Sequence, residues 1–205
     1  MTATGRRTQQ ERREATIAKL LDATIECLIA FGYRDTSIGR ICDRAGISHG
    51  GLFRHFPSRT ALLAATTDEI GRRSLAQMQD VISAPEDNPD LVPEMVTLCR
   101  DITRSPLTSA WREVLIAART NSELCAAIEP ALRFFEDAVM GLASQLVKDE
   151  DAVKELGTLI LSILHMYDSE ATTISVFETP YIDDIRFDWA VRQIEGFLAL
   201  HAPKS

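Results

Sequence analysis

No apolar run in this 205-residue chain approaches the roughly 20 residues that cross a bilayer. The first residues are polar and basic, without the apolar core of a signal peptide. The chain is therefore expected in the cytoplasm, with no membrane partner. Cysteine is scarce: Cys27, Cys42, Cys99 and Cys125 are the four. None stands in a CxxC pair, so neither a zinc site nor a dithiol motif is supported. All lie in or beside apolar helical stripes, where buried free thiols are expected. Glycine (10) and proline (8) are few. No stretch alternates with period two and no Asn-Gly hairpin signal is present, which argues against strands. Catalytic signatures are also missing: there is no GxSxG, Walker loop, GxGxxG or HExxH. His165 and Asp168 are three apart on a helical stretch, a spacing read here as a hydrogen-bonded core feature. No catalytic residue, metal or cofactor is implied.

What remains is helix and an uneven distribution of charge. The net charge is −8. Residues 1 to 60 nevertheless hold ten Lys/Arg against six Asp/Glu, and residues 61 to 205 hold twelve against twenty-four. A basic N-terminal part on an acidic body suits a protein that presents one face to phosphates.

The stretch from Thr36 to Arg59 organises the rest. Thr36 or Ser37 can cap a short helix, in which Ile38, Ile41, Cys42 and Ala45 form one apolar stripe. Gly46 suits a left-handed turn at the helix end. Ser48 can cap a second helix that buries Leu52 and Phe53 or Phe56, and Pro57 ends it. Two short helices joined by such a turn make a helix-turn-helix, whose second helix enters the DNA major groove. Before it, Glu11 to Gly32 reads as a helix with Ile17, Leu20, Leu21, Thr24, Ile25, Leu28 and Phe31 inward. Residues 1 to 10 read as a flexible arm, in which Arg6 and Arg7, with Arg12 and Arg13 beyond, either lie along DNA or only solubilise.

After Ser58, a helix is predicted from Arg59 to about Ile82 along Leu62, Leu63, Thr66, Ile70, Ser74, Met78 and Val81. A loop follows over residues 83–90. Leu91, Met95, Leu98 and Ile102 mark the next helix. Ser105-Pro106 starts another, carrying Leu107, Trp111, Val114, Leu115 and Ala118. Asn121 or Ser122 starts one that runs to about Lys148 with Leu124, Ile128, Leu132, Phe135, Val139, Leu142 and Leu146 inward, and Pro130 predicts a kink or break in it. Asp149 to Asp151 cap a helix to about Ser175. Thr179-Pro180 interrupts, and Tyr181 to His201 is the last helix, with Ile185, Trp189 or Phe187, Val191, Ile194, Phe197 and Leu198 buried. Two apolar-rich terminal helices invite pairing with the same two of a second copy. The fold class is all-α with about nine helices: a helix-turn-helix domain over 1–60 and a helical domain over 61–205.

The run AGISHGGLFRHFPSR, preceded by TSIGRIC and AFGYRD, resembles the DNA-binding domain of the tetracycline-repressor (TetR) family of bacterial regulators over residues 14 to 64. The resemblance implies a homodimer joined through the last two helices. It also implies a C-terminal domain that binds a small-molecule effector and so changes the spacing of the two DNA-reading domains. By position, Ser48, His49, Gly50 and Gly51 face base edges, and His49 is the base-reading candidate. Ser37, His55 and Arg59 are phosphate candidates. Arg40, Arg44 and Arg54 either add charge nearby or form a solvated face. The family usually has Tyr at Phe53, Thr or Ser at Gly51 and Lys at Arg59. Phe53 lacks the phosphate-binding hydroxyl, so packing is its expected role. Leu98, Ile102, Trp111, Leu115, Phe134, Met140, His165, Met166 and Tyr167 are candidates to line an effector pocket, and their composition favours an apolar or aromatic molecule. The expected function is a ligand-responsive repressor on a palindromic double-stranded operator. The alternatives are a helical enzyme, or an interaction module whose basic face docks an acidic protein.

Overall fold

A computed structural model describes residues 8–83, 88–174, 176–177 and 180–201. Among these the chain is all helical: α1 Gln9–Asp35, α2 Ile38–Ala45, α3 His49–Phe53, α4 Arg59–Ile82, α5 Leu91–Arg104, α6 Pro106–Ala118, α7 Ser122–Leu146, α8 Glu150–Ile174 and α9 Pro180–His201. Local chemistry sets most of the starts. Ser37 accepts from the Arg40 amide at 3.3 Å, Ser48 from Gly51 at 3.1 Å and Ser58 from Ala61 at 3.0 Å. Ser105, Asn121 and Asp149 do the same for Thr108, Leu124 and Ala152. Each such cap satisfies one first-turn amide that has no partner inside its helix.

Several expectations need correction. α1 starts before Glu11: Thr8 caps it in a reciprocal box with Glu11, and residues 1–7 of the expected arm, with Arg6 and Arg7, lie outside the described residues. So do residues 84–87 of the first loop, and Ser175 and Thr179. Phe31 is not inward but 42% exposed, because Gly32 adopts φ 70° and ends the straight run of α1 one residue later. Cys125 is exposed, unlike the other three thiols. Ile185 is 63% exposed rather than buried. At the alternative position in α9, Phe187 is half-buried and Trp189 exposed. Of the kink or break expected at Pro130, the break is absent: α7 continues through it, although proline cannot donate to the preceding turn.

The chain divides into two compact units. One takes in residues up to Glu69 together with Ala110–Glu129, and the other Ile70–Ser109 together with residues from Pro130 onward. Within the first unit α1 packs on α2 and α2 on α3. Its core joins Leu20, Leu21 and Cys27 of α1 to Ile41 and Cys42 of α2, Leu52 of α3, Phe56 and Leu62. Within the second, α5 packs on α8 and α9, and α8 on α9. Val96, Cys99, Val139, Leu156, Ile160, Ile163, Tyr167 and Ile194 are among its core residues. Met140 of α7 packs its sulfur into the space a side chain on Gly157 of α8 would fill. No helix among the described residues is long and apolar enough to cross a membrane.

Candidate nucleic-acid interface

The turn between α2 and α3 is built from the backbone outward. Gly46 takes the left-handed conformation, φ 65°, which costs a glycine almost nothing. The amides of Gly46 and Ile47 then close onto the carbonyls of Asp43 and Cys42. Ile47 packs partly buried against the core. α3 follows as five residues, His-Gly-Gly-Leu-Phe, of which Leu52 alone is buried. One anchor and one cap therefore hold the short helix, and the rest of it is available to a partner. Ser48, His49 and Gly50 are exposed, and Gly51 is half-buried.

The other candidates have different surroundings. Phe53 is 48% exposed, so the packing role expected for it is not what the fold gives it; Phe56 is the inward aromatic. Arg54 is exposed. His55 is half-buried, and its Nδ1 is buried with no hydrogen-bond partner. Arg40 is drawn back onto the end of α1, donating to the Asp35 carbonyl at 3.0 Å and lying 4.5 Å over the exposed Phe31 ring. Arg44 pairs with Glu26 at 3.0 Å.

Arg59 is also engaged. Its Nε donates to the Thr36 carbonyl at 3.0 Å and its Nη2 to the Tyr33 carbonyl at 2.6 Å. The guanidinium lies 4.3 Å from the Tyr33 ring centre. It is thus a fastener between the start of α4 and the α1–α2 turn. Arg59→Ala should lower unfolding free energy by about 1–2 kcal/mol, the scale of two partly exposed hydrogen bonds. Arg59→Lys should recover only part of this, since an ammonium lacks the planar fork. Urea titration followed by helical circular dichroism measures both; no loss in either variant would contradict the fastening role.

The candidates for the effector pocket fall in both units. Trp111 and Leu115 belong to the first unit and the other seven to the second. Ile102 and Tyr167 are core residues, Leu98 and Met166 pack half-buried against that core, and His165 is exposed. Phe134 alone of the nine lines the open cleft of about 520 Å³ between α4 and α7, with Arg72, Leu75, Ala76, Gln79, Ala138, Gly141, Leu142 and Gln145. Arg72 lies 4.7 Å over the Phe134 ring, and Gln79 and Gln145 exchange amide hydrogen bonds of 3.1 Å.

A charge network centred on the buried Glu170 joins three helices of the second unit. Arg104 of α5 makes a two-pronged bond to Asp183 of α9, at 2.6 and 3.1 Å. It also reaches Glu170 of α8 at 3.4 Å, and Arg186 sits 2.8 Å from the other oxygen of Glu170. Burial works against the Arg104 charge, but the bond and charge of Asp183 and the charge of Glu170 outweigh it and raise its pKa. Burial pushes the Tyr167 hydroxyl up to about 12.

The comparisons agree with this geometry. The model of the tetR family of bacterial regulatory proteins matches residues 20–73. An uncharacterized HTH-type transcriptional regulator of Mycobacterium tuberculosis is 35% identical over 182 residues, covering 88% of this chain and 93% of that one. A TetR-family regulator from Mesorhizobium loti superposes with TM-score 0.67 at 16% identity, over 92% of this chain and 98% of that one. The multidrug binding protein EbrR, in complex with imidazole, superposes with TM-score 0.60 at 19% identity, over 91% and 94%. The family match and the 35%-identical relative identify a sequence-specific DNA-binding transcriptional regulator. The chain belongs to the TetR family.

Proposed function

We infer that the protein represses transcription by occupying a palindromic operator as a homodimer, and leaves it when a small molecule binds. The observation that carries the DNA reading is α3 itself: capped by Ser48, anchored by Leu52 and otherwise open to a groove. In this reading residues 1–60 are the DNA-binding domain and residues 61–205 bind the effector and dimerise. His49 reads a base edge. Ser37, His55 and the first-turn amides of α2 and α4 meet phosphates, since helix N-termini favour anions. Gly50 and Gly51 let the backbone approach closely.

Dimerisation through the last two helices is supported by apolar side chains left uncovered on α9 and in the link before it. Val176, Phe177, Tyr181, Ile185, Trp189 and Leu200 are all exposed. A row of this kind is unusual on a monomer and usual at an interface. The α4–α7 cleft is the proposed effector site. Its Leu75, Ala76, Ala138 and Leu142 suit an apolar or aromatic molecule, and Arg72 and the two glutamines offer polar contacts. EbrR, similar in fold, holds a small aromatic ring.

Selection of bound sequences from random duplex DNA tests the reading, repeated with a panel of aromatic and aliphatic small molecules. It should return inverted half-sites, and one compound class should lower binding. Selection of no sequence by the native protein would overturn it. His49→Ala should flatten preference at one position per half-site, losing about 1–3 kcal/mol of discrimination. Binding to unrelated duplex should stay nearly unchanged, because that binding rests on phosphates. A uniform loss on every duplex would show that His49 does not read bases.

A further inference from the structure

We propose that Glu113 of α6 is a positioning residue for operator binding, holding the chain reversal that aims α2 and α3. The inference rests on the operator-binding reading above. Gly32, at φ 70° and ψ 176°, breaks α1. The segment from Gly32 to Thr36 then has backbone groups that no helix satisfies, and such groups must find partners or water. Side chains take five of them. The Thr36 hydroxyl donates to the Gly32 carbonyl at 2.7 Å. Arg59 takes the carbonyls of Tyr33 and Thr36. Arg40 takes that of Asp35. The Tyr33 amide donates to the Glu113 carboxylate at 2.8 Å.

Glu113 is the one partner in this set that comes from far along the chain, 80 residues away. The others all lie within the motif or at the start of α4. Its carboxylate also sits directly over Gly32: a Cβ placed there would lie 3.0 Å from Glu113 Oε2. Glycine at this position therefore serves two needs, the positive φ and the close approach of the carboxylate. Tyr33 is gripped on three sides, through its amide by Glu113 and through its carbonyl and ring by Arg59. Four residues later Ser37 caps α2, whose left-handed end at Gly46 in turn sets α3. An error in the reversal is carried along that short path to His49.

The test compares full-length Glu113→Ala and Glu113→Gln with the native protein on the duplex selected by the native protein and on an unrelated duplex, by fluorescence anisotropy. Losing a charge-assisted bond lowers the share of correctly aimed motif, so operator affinity of Glu113→Ala should fall about tenfold. The unrelated duplex should change less than about twofold, since phosphate contacts tolerate misalignment. Glu113→Gln keeps an acceptor oxygen and should stay within about threefold of native. Hydrogen exchange at the Tyr33 amide should quicken in Glu113→Ala and not in Glu113→Gln. Native-like operator binding by Glu113→Ala would overturn the proposal, as would an equal loss on both duplexes. Failure of the native protein to select any sequence is the separate outcome that removes the operator reading itself.

Discussion

Leu52→Ala should abolish operator binding at moderate concentrations and lower stability by about 3 kcal/mol. Leu52 is wholly buried and is the sole buried side chain of α3. It is the point where α3 joins the core of Leu20, Leu21, Ile41, Phe56 and Leu62. A five-residue helix with two consecutive glycines has little intrinsic helicity, since each glycine costs about 1 kcal/mol relative to alanine. Packing must supply what propensity does not, and a single leucine supplies it. The measurement is urea unfolding together with anisotropy on operator DNA. Leu52→Met, which conserves volume, should keep most of both properties, at a cost under about 1.5 kcal/mol. If Leu52→Ala bound operator with native affinity, α3 would be held by something other than its core contact.

Arg104→Ala should destabilise the second unit by about 3 kcal/mol. Glu170 is 4% exposed and would keep Arg186 alone, while Asp183 would lose both prongs of its bond. Arg104 is itself partly exposed, with 27% of its side chain accessible, so the effect belongs at the lower end of the range for a broken buried pair. The fastening joins α5, α8 and α9, so α9 should loosen first. Faster hydrogen exchange across Asp183–Ala190 is the expected signature. Glu170→Gln should be milder than Arg104→Ala, because the amide oxygen still accepts from an arginine. Exchange in α9 unchanged by Arg104→Ala would contradict the assignment.

Where structure follows from neighbours in the chain, the residues announced it. Ser37, Ser48, Ser58, Ser105, Asn121 and Asp149 each cap the helix they precede, because the side-chain oxygen and the amide it meets are only three residues apart. Gly46 and Gly32 turn the chain for a similarly local reason. The fastening by Arg59 left no local sign, because the carbonyls it holds lie 23 and 26 residues away. Glu113 left no local trace for the same reason. Phe31 continues the apolar period, but it stands at the end of the straight run, one residue before the kink at Gly32, and is exposed. Glu170 did leave a sign. It falls on the stripe of Ile160, Ile163, Leu164, Tyr167 and Ala171, where a carboxylate is buried only with a cationic partner. The cleft is formed by side chains of two helices far apart in sequence, and periodicity within one helix does not register it.

Guanine-methylation interference on the selected operator tests the central claim most directly, because N7 lies in the major groove. The account predicts interference in two symmetric half-sites whose centres lie about one helical turn, 10–10.5 base pairs, or a multiple of it apart, and loss of the signal at one position per half-site in His49→Ala. Operator binding unaffected by methylation at every guanine N7, or interference at a single site without symmetry, would contradict it.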